Sequence, residues 1–176
     1  AKKHVLKNNY DLVIDNQSVS YGMEYIQILT PLIEVIHHPI TMDLKHELET
    51  NKNLIYKISR LRWYSFLKMQ KRVAPKLNNI VTVSHSSKKD IAKDFKVQDK
   101  NISVIYNAVD SNIFRPYPDI QRKAHRLITT ASADVPLKGL DFSLHALARL
   151  AVEFSDIELL VIGTHREGGH TERLIK

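Results

Sequence analysis

An α/β fold with parallel sheets is what this sequence predicts. Short runs rich in Val, Ile and Leu recur along the chain, and they lack the in–out alternation of a half-exposed strand. The stretches between them are long enough for helices, and the clearest one carries apolar residues at helical spacing. Strand-to-strand distance in the second half is about 30 residues, the size of one βαβ unit.

Taken in order, Asp11-Leu12-Val13-Ile14-Asp15 is the first strand, followed by polar Asn16-Gln17-Ser18. Tyr21 to Thr30 reads as a short helix that Pro31 closes, because the residue before a proline avoids helical geometry. Leu32 to Ile36 is the second strand and ends on His37-His38-Pro39. A long helical region follows from Asp43 to about Ala74, with a break near Asn51-Lys52-Asn53; Pro75 and Asn78-Asn79 stop it. Ile80 to Val83 is the third strand. Ser86 or Ser87 caps the next helix, Lys88–Phe95, with Asp90 in its first turn. Ile102 to Tyr106 is the fourth strand, leading into Asn107-Ala108-Val109-Asp110.

A composition shift then marks a boundary. Phe114-Arg115-Pro116-Tyr117-Pro118-Asp119 has no periodicity and holds two of the six prolines, so it reads as a linker. Beyond it, Leu127 to Ala131 is a strand, and Leu140, Leu144, Leu147, Ala148, Ala151 and Phe154 fall on one face of a helix. Ile157 to Ile162 is the return strand, closed by Gly163. The expected organisation is therefore residues 1–115 from one α/β domain, a linker at 116–125, and residues 126–176 from a second.

Composition narrows the function classes. The chain has 176 residues, net charge +7 and 43% hydrophobic residues, enough for a packed core and too many for a disordered chain. With no cysteine, a disulfide scaffold, an iron–sulfur site and a thiol nucleophile are excluded. No apolar run approaches the roughly 20 residues that a membrane-spanning helix needs. Ala1-Lys2-Lys3-His4 has no apolar stretch behind it, so it does not read as a signal peptide. The absence of an initial Met, and a terminal Thr171–Lys176 that reads as a helix cut in mid-pattern, suggest part of a larger protein.

The positive excess is concentrated. Lys57, Arg60, Arg62, Lys68, Lys71, Arg72 and Lys76 lie in a stretch with no acid, interleaved with Leu54, Ile58, Leu61, Trp63, Phe66 and Leu67. This is an amphipathic basic helix, of a kind that lies on an anionic membrane. The plainer alternative is a solvated face of a helix packed on a sheet. RNA binding is disfavoured, since no aromatic RNP-type strand and no zinc ligands are present.

In open parallel sheets, ligands bind outside the carboxyl ends of the strands. Four strands here finish in polar groups: Asn16-Gln17, His37-His38, Ser84-His85 and Asn107. Together they describe a polar rim suited to a ligand with many hydroxyls, although polar residues begin most loops. His37 or His38 is the candidate to orient or polarise a sugar hydroxyl; a strand-end imidazole bonded to backbone is the competing reading. A metal site is not expected, because no H-E-x-x-H and no Cys pair supplies further ligands. In the second half, Ser132 to Leu140 joins a strand to a helix start. Helix starts offer unpaired N–H groups and positive dipole character, Lys138 adds a full charge, and Gly139 permits close backbone approach. Neither a P-loop nor a G-x-G-x-x-G is present, and a plain helix cap also accounts for Lys138-Gly139.

These motifs in this order resemble glycosyltransferase family 4. The residues that carry the likeness are strand–His37-His38-Pro39, Val83 to Ile91, Val104 to Asp110, Phe114-Arg115-Pro116, Pro136 to Gly139 and Val161-Ile162-Gly163. A bacterial subgroup with I-H-H-P-I, R-W-Y-S-F and S-A-D-V-P-L-K-G-L is closer still; here these are Ile36–Ile40, Arg62–Phe66 and Ser132–Leu140. The resemblance implies the GT-B architecture, two Rossmann-like domains facing across a cleft. It implies sugar transfer from a nucleotide-sugar donor to a sugar, polysaccharide or lipid-linked acceptor, with retention, no metal and no cofactor. Lys138 matches the lysine that contacts the donor diphosphate, with Ser132, Gly139 and Gly163 as further donor-side residues. His37 matches the histidine facing the transferred sugar, with His38 the alternative, and Asn16, Ser84, Asn107 and Asp110 are expected to line the cleft. A cytoplasmic protein docking on the membrane through the basic helix completes the picture.

Three departures stand beside it. The family's Gly-Arg pair is missing, with Ala133 where the arginine falls, and Ala108 replaces a glycine. The chain also stops before the family's two glutamates and lacks its amino-terminal Gly-rich turn, so this stretch alone is not expected to turn over. The rival class is a non-catalytic basic module binding RNA or anionic membrane through Lys57–Lys76; the third is a structural α/β domain.

Overall fold

The computed structural model describes residues 2–50, 52–131, 138–164 and 167–175, and divides into two compact units, Ala1–Asp110 and Ser111–Lys176. Each is an α/β unit with a parallel sheet, as the uninterrupted apolar runs predict.

The first unit opens with a short helix that the sequence did not announce, α1 (Lys2–Lys7). Its sheet has four strands in the order β1 (Val13–Asn16), β2 (Leu32–Val35), β3 (Ile80–Thr82), β4 (Ile102–Val104), every neighbouring pair parallel. Parallel neighbours require crossovers, and helices supply them: α2 (Tyr21–Leu29), then α3 (Thr41–Thr50), α4 (Leu54–Trp63) and α5 (Leu67–Val73), then α6 (His85–Phe95). Because the strands all run one way, their carboxyl ends line a single edge, and the polar residues that follow them gather there. The core lies beneath, built from Val19, Ile26, Ile36, Leu77, Ile80 and Phe95 with their neighbours.

Two expectations are corrected here. The basic stretch is not one long amphipathic helix. Asn53 starts α4 by accepting hydrogen bonds from the amides of Ile55 and Tyr56, a 3-10 turn at Tyr64–Phe66 redirects the chain, and Pro75 sits in a second 3-10 turn. Helix α6 begins three residues early, because Ser84 rather than Ser86 or Ser87 is its cap: the Ser84 hydroxyl accepts from the Ser87 amide at 3.0 Å. Strand ends also shift by a residue or two. β4 ends at Val104, although the Ile105 amide still donates to the Thr82 carbonyl at 2.9 Å.

In the second unit, residues 111–125 form no helix or strand. Strands β5 (Arg126–Thr129) and β6 (Glu158–Val161) pair in parallel, with α7 (Leu140–Leu150) between them and α8 (His170–Ile175) after them. The apolar face predicted to reach Phe154 leaves the helix at Leu150, where the chain tightens into a turn closed by the Phe154 amide on the Leu150 carbonyl. In this unit β5 and β6 are parallel, while Leu127, Ile128, Leu160 and Ile162 are exposed, so the burial on both faces expected from the apolar runs is not seen among the described residues.

Candidate functional site

The carboxyl edge of the first sheet brings β1 and β2 together around His37. The β2 ladder extends past Val35 through the Ile36 amide, which donates to the Val81 carbonyl at 2.9 Å. His37, the next residue, is half-buried at the sheet edge. Its Nε2 lies 2.9 Å from Asn16 Oδ1, and its amide donates to Gln17 Oε1 at 3.0 Å. With the Asn16 amide oxygen as acceptor, the ring proton sits on Nε2 and Nδ1 presents a lone pair. Such an imidazole is held in one orientation and one tautomer, which is what a group that polarises or orients a hydroxyl needs.

His38 is placed differently. Its side chain is exposed, its Nε2 stands 3.8 Å from Asp43, and its carbonyl accepts from Gln17 Nε2. Ser84 sits at the end of β3, but its hydroxyl is engaged as the α6 cap and donates to Ser87 Oγ. Asn107 and Asp110 follow β4 and are exposed. The rings of His85 and Tyr106, centroids 6.1 Å apart, meet edge to face and bring the ends of β3 and β4 together.

The residues that reading by motif missed are Asp15 and Glu34. Directly beneath the edge, Asp15 on β1 is in register with Glu34 on β2. Glu34 is fully buried, with 0% of its surface exposed. Burial first, then the neighbouring Asp15 charge and hydrogen bond, push its carboxyl up to about 9. Asp15 moves the other way: burial pulls it upward, but hydrogen bonds from Glu34, Ser18 and Val19 outweigh this and hold it below its ordinary value. At neutral pH one proton is shared by the pair and resides on Glu34. Above them the chain turns through Gln17 at φ 65 and Val19 at φ 43, left-handed geometry that for non-glycine residues costs on the order of 1–3 kcal/mol. A charged residue inside the apolar run Leu32–Ile36 was the available signal, since Glu34 shares the buried face of the strand with Leu32 and Ile36, and such a face accepts a carboxyl only for a reason.

In the second unit, Lys138 is exposed and immediately precedes Gly139, which takes the left-handed conformation (φ 66, ψ 21) at the N-terminal cap of α7. Space does not demand a glycine there, because an added Cβ would meet nothing nearer than Phe142 at 3.8 Å; the backbone conformation does. The α7 ladder opens with the Ser143 amide donating to the Gly139 carbonyl at 3.1 Å, which places this turn at the positive end of the helix dipole. Asp141 in that turn already complements the helix dipole, so an anion held here depends on the Lys138 charge. Leu140 and Gly163, from the start of α7 and the end of β6, line one open concavity of about 170 Å³ with Leu144, Val161 and Thr171. Of the sequence-predicted donor-side residues Gly163 lines this hollow, whereas Lys138 and Gly139 are not among its lining residues. Ser132 lies outside the described residues. Among the described residues no three side chains of His, Asp or Glu converge where a metal ion would sit.

Comparison with known proteins shows the family. The model of Glycosyltransferase Family 4 matches residues 1–113. Over 170 residues, 96% of this chain, the sequence is 41% identical to the MMP alpha-(1->4)-mannosyltransferase of Mycolicibacterium hassiacum. The chain spans about 40% of that relative's length. A family match across the four-stranded unit that carries His37, and sequence identity that continues through the lysine-glycine helix start, lead to one assignment: this chain belongs to glycosyltransferase family 4.

Proposed function

We propose that the protein containing this chain transfers a hexosyl group, with mannose as the first candidate, from a nucleotide-sugar donor to an acceptor hydroxyl, with retention and without a metal. The two units act as the acceptor-side and donor-side Rossmann-like domains of a GT-B enzyme. The relative's name supports mannose and a sugar acceptor.

The observation that carries the reading is the left-handed Gly139 at the start of α7 with Lys138 beside it. Breaking the bond from the sugar's C1 to the diphosphate oxygen leaves negative charge on the diphosphate. A lysine beside the positive end of a helix dipole stabilises that charge more in the transition state than in the bound donor. The concavity lined by Leu140, Val161 and Gly163 is mostly apolar and suits the flat face of a nucleoside. On the other unit, His37 Nδ1 accepts a hydrogen bond from a hydroxyl of the transferred sugar and orients it, and Asn16 fixes the ring.

Binding of GDP and UDP to the 176-residue chain, followed by NMR shift mapping, tests the donor side. Perturbations are expected at Gly139, Leu140 and Gly163, and Lys138→Ala is expected to weaken binding about ten- to a hundredfold, the loss of a charge-assisted contact of ~1.5–3 kcal/mol. Equal affinity in the variant removes the reading.

A second reading concerns α4 and has its own observation. Leu54, Ile55, Ile58, Leu61 and Trp63 are all exposed, Ile55 at 79% and Trp63 at 68%, beside Lys57 and Arg62. An apolar stripe flanked by cations is the chemistry of an anionic membrane surface, where a lipid-linked acceptor would be met. No helix among the described residues is long and apolar enough to cross a membrane.

A further inference from the structure

The left-handed loop between β1 and α2 is fastened from below by groups that the transfer reaction does not use. The Ser18 amide and hydroxyl donate to Asp15 Oδ2 at 2.9 and 2.7 Å. The Val19 amide donates to Glu34 Oε1 at 3.3 Å, and the Val19 side chain is itself fully buried. Gln70 on α5 reaches across to donate to the Gln17 carbonyl at 3.3 Å. The loop holds its ligand-side partners in turn: Asn16 takes the His37 ring, and Gln17 takes the His37 amide and the His38 carbonyl.

Glu34 is the one carboxyl of this set with no access to solvent. Its Oε1 accepts from Val19, and among the described residues no donor faces its buried Oε2. Across from it in register stands the carboxylate of Asp15, the charged group that interacts with it. Two carboxylates cannot face one another in the interior without a proton. Placing it on Glu34 Oε2 turns the unmet acceptor into a donor to Asp15, and leaves Asp15 charged to receive Ser18. Glu34 then both donates and accepts, as only a neutral acid or an amide can.

We propose that Glu34 is a positioning residue: as a neutral carboxylic acid bridging Asp15 and the Val19 amide, it locks the left-handed Gln17–Val19 turn, and the turn fixes His37. Its importance to transfer rests on the reading that His37 faces the sugar; its effect on His37 does not, and is measured without donor.

Glu34→Gln keeps one donor and one acceptor in the same shape, whereas Glu34→Leu keeps the volume and removes both. The test uses the 176-residue chain uniformly labelled with ¹⁵N, so that histidine rings and backbone amides are both observed, the His37 ring being assigned through His37→Gln. Glu34→Gln is expected to keep the Nε2–H tautomer signature of His37 and the slow exchange of the Val19 amide. Glu34→Leu is expected to average the two tautomers and speed Val19 exchange at least tenfold, while the Ile102 amide on β4 is unchanged. Should Glu34→Gln behave like the leucine variant, the residue acts as an anion and the proposal fails. It fails equally if Glu34→Leu leaves His37 and Val19 as they were. If Glu34→Leu does not fold, the Glu34→Gln comparison alone still decides between neutral acid and anion.

Discussion

At the scale of single residues, the protonation of Glu34 makes a prediction about stability that needs no ligand. In the unfolded chain this carboxyl ionises near its ordinary value of 4.5, and in the folded chain near 9. Between those values the unfolded state releases a proton that the folded state keeps, so the native state binds more protons and stability falls as pH rises. Below about pH 4.5 both states are protonated and the residue contributes no slope. Asp15, held below its ordinary value, acts oppositely, and its contribution is lost only in acid. Chemical denaturation of the 176-residue chain at pH 5.5 and pH 8 is expected to show lower stability at the higher pH, and Glu34→Gln to flatten the difference. A slope unchanged by Glu34→Gln means that the proton sits elsewhere. This pair escaped motif reading because a strand residue's burial is set by what stacks above and below it. His37 was legible because a histidine pair before a proline stands out in any sequence.

At the scale of elements, the basic stretch shows where periodicity stops informing. Its apolar spacing is that of a helix, and helices form there. Yet the second half is buried, with Leu67, Gln70 and Val73 packed inward, while α4 buries no residue at all. The pivot is a polar cluster, Glu47 of α3 accepting from the hydroxyls of Tyr56 and Tyr64 at 3.1 and 2.9 Å, with Arg60 3.6 Å away. Burial and this carboxylate push the Tyr64 hydroxyl up to about 12, so it stays a donor throughout the physiological range. The cluster fastens α4 by its tyrosine side and leaves Ile55, Ile58 and Trp63 outward. Vesicle sedimentation tests the membrane reading of that face. The chain is expected to pellet with phosphatidylglycerol vesicles at 0.1 M salt and not with phosphatidylcholine, and Ile55→Ser with Trp63→Ser to abolish pelleting. Both residues are exposed, so the double change should leave the fold intact. No difference between the two vesicle types removes the membrane reading.

For the whole molecule, the two compact units and the stretch between their sheets determine how the chain comes apart. Residues 111–125 are exposed and carry no helix or strand, so protease access is expected there before any strand opens. Limited trypsin digestion is expected to cut first after Arg122, Arg115 being protected by the proline that follows it, and to leave a product of residues 1–122. That product should resist further cutting, because its core is a single cluster running from Val19 to Ile102. First cleavage inside β1–β4 instead would show that the first unit is not the stable one.

By itself the sequence determined the strand order along the chain, the parallel class and the polar edge, since continuous apolar runs and helix-length spacers permit few other solutions. It also placed the family, through motifs whose spacing is a property of the linear chain. Tertiary structure alone decided which polar residues matter at that edge. Asn16 and Gln17 reach His37 because β1 and β2 are neighbours in register, a pairing that lies about twenty positions away in sequence and follows from no local preference. The same pairing sets Asp15 against Glu34 and so fixes where the proton resides, because the charge of a buried acid depends on its neighbours in space and not on its own chemistry.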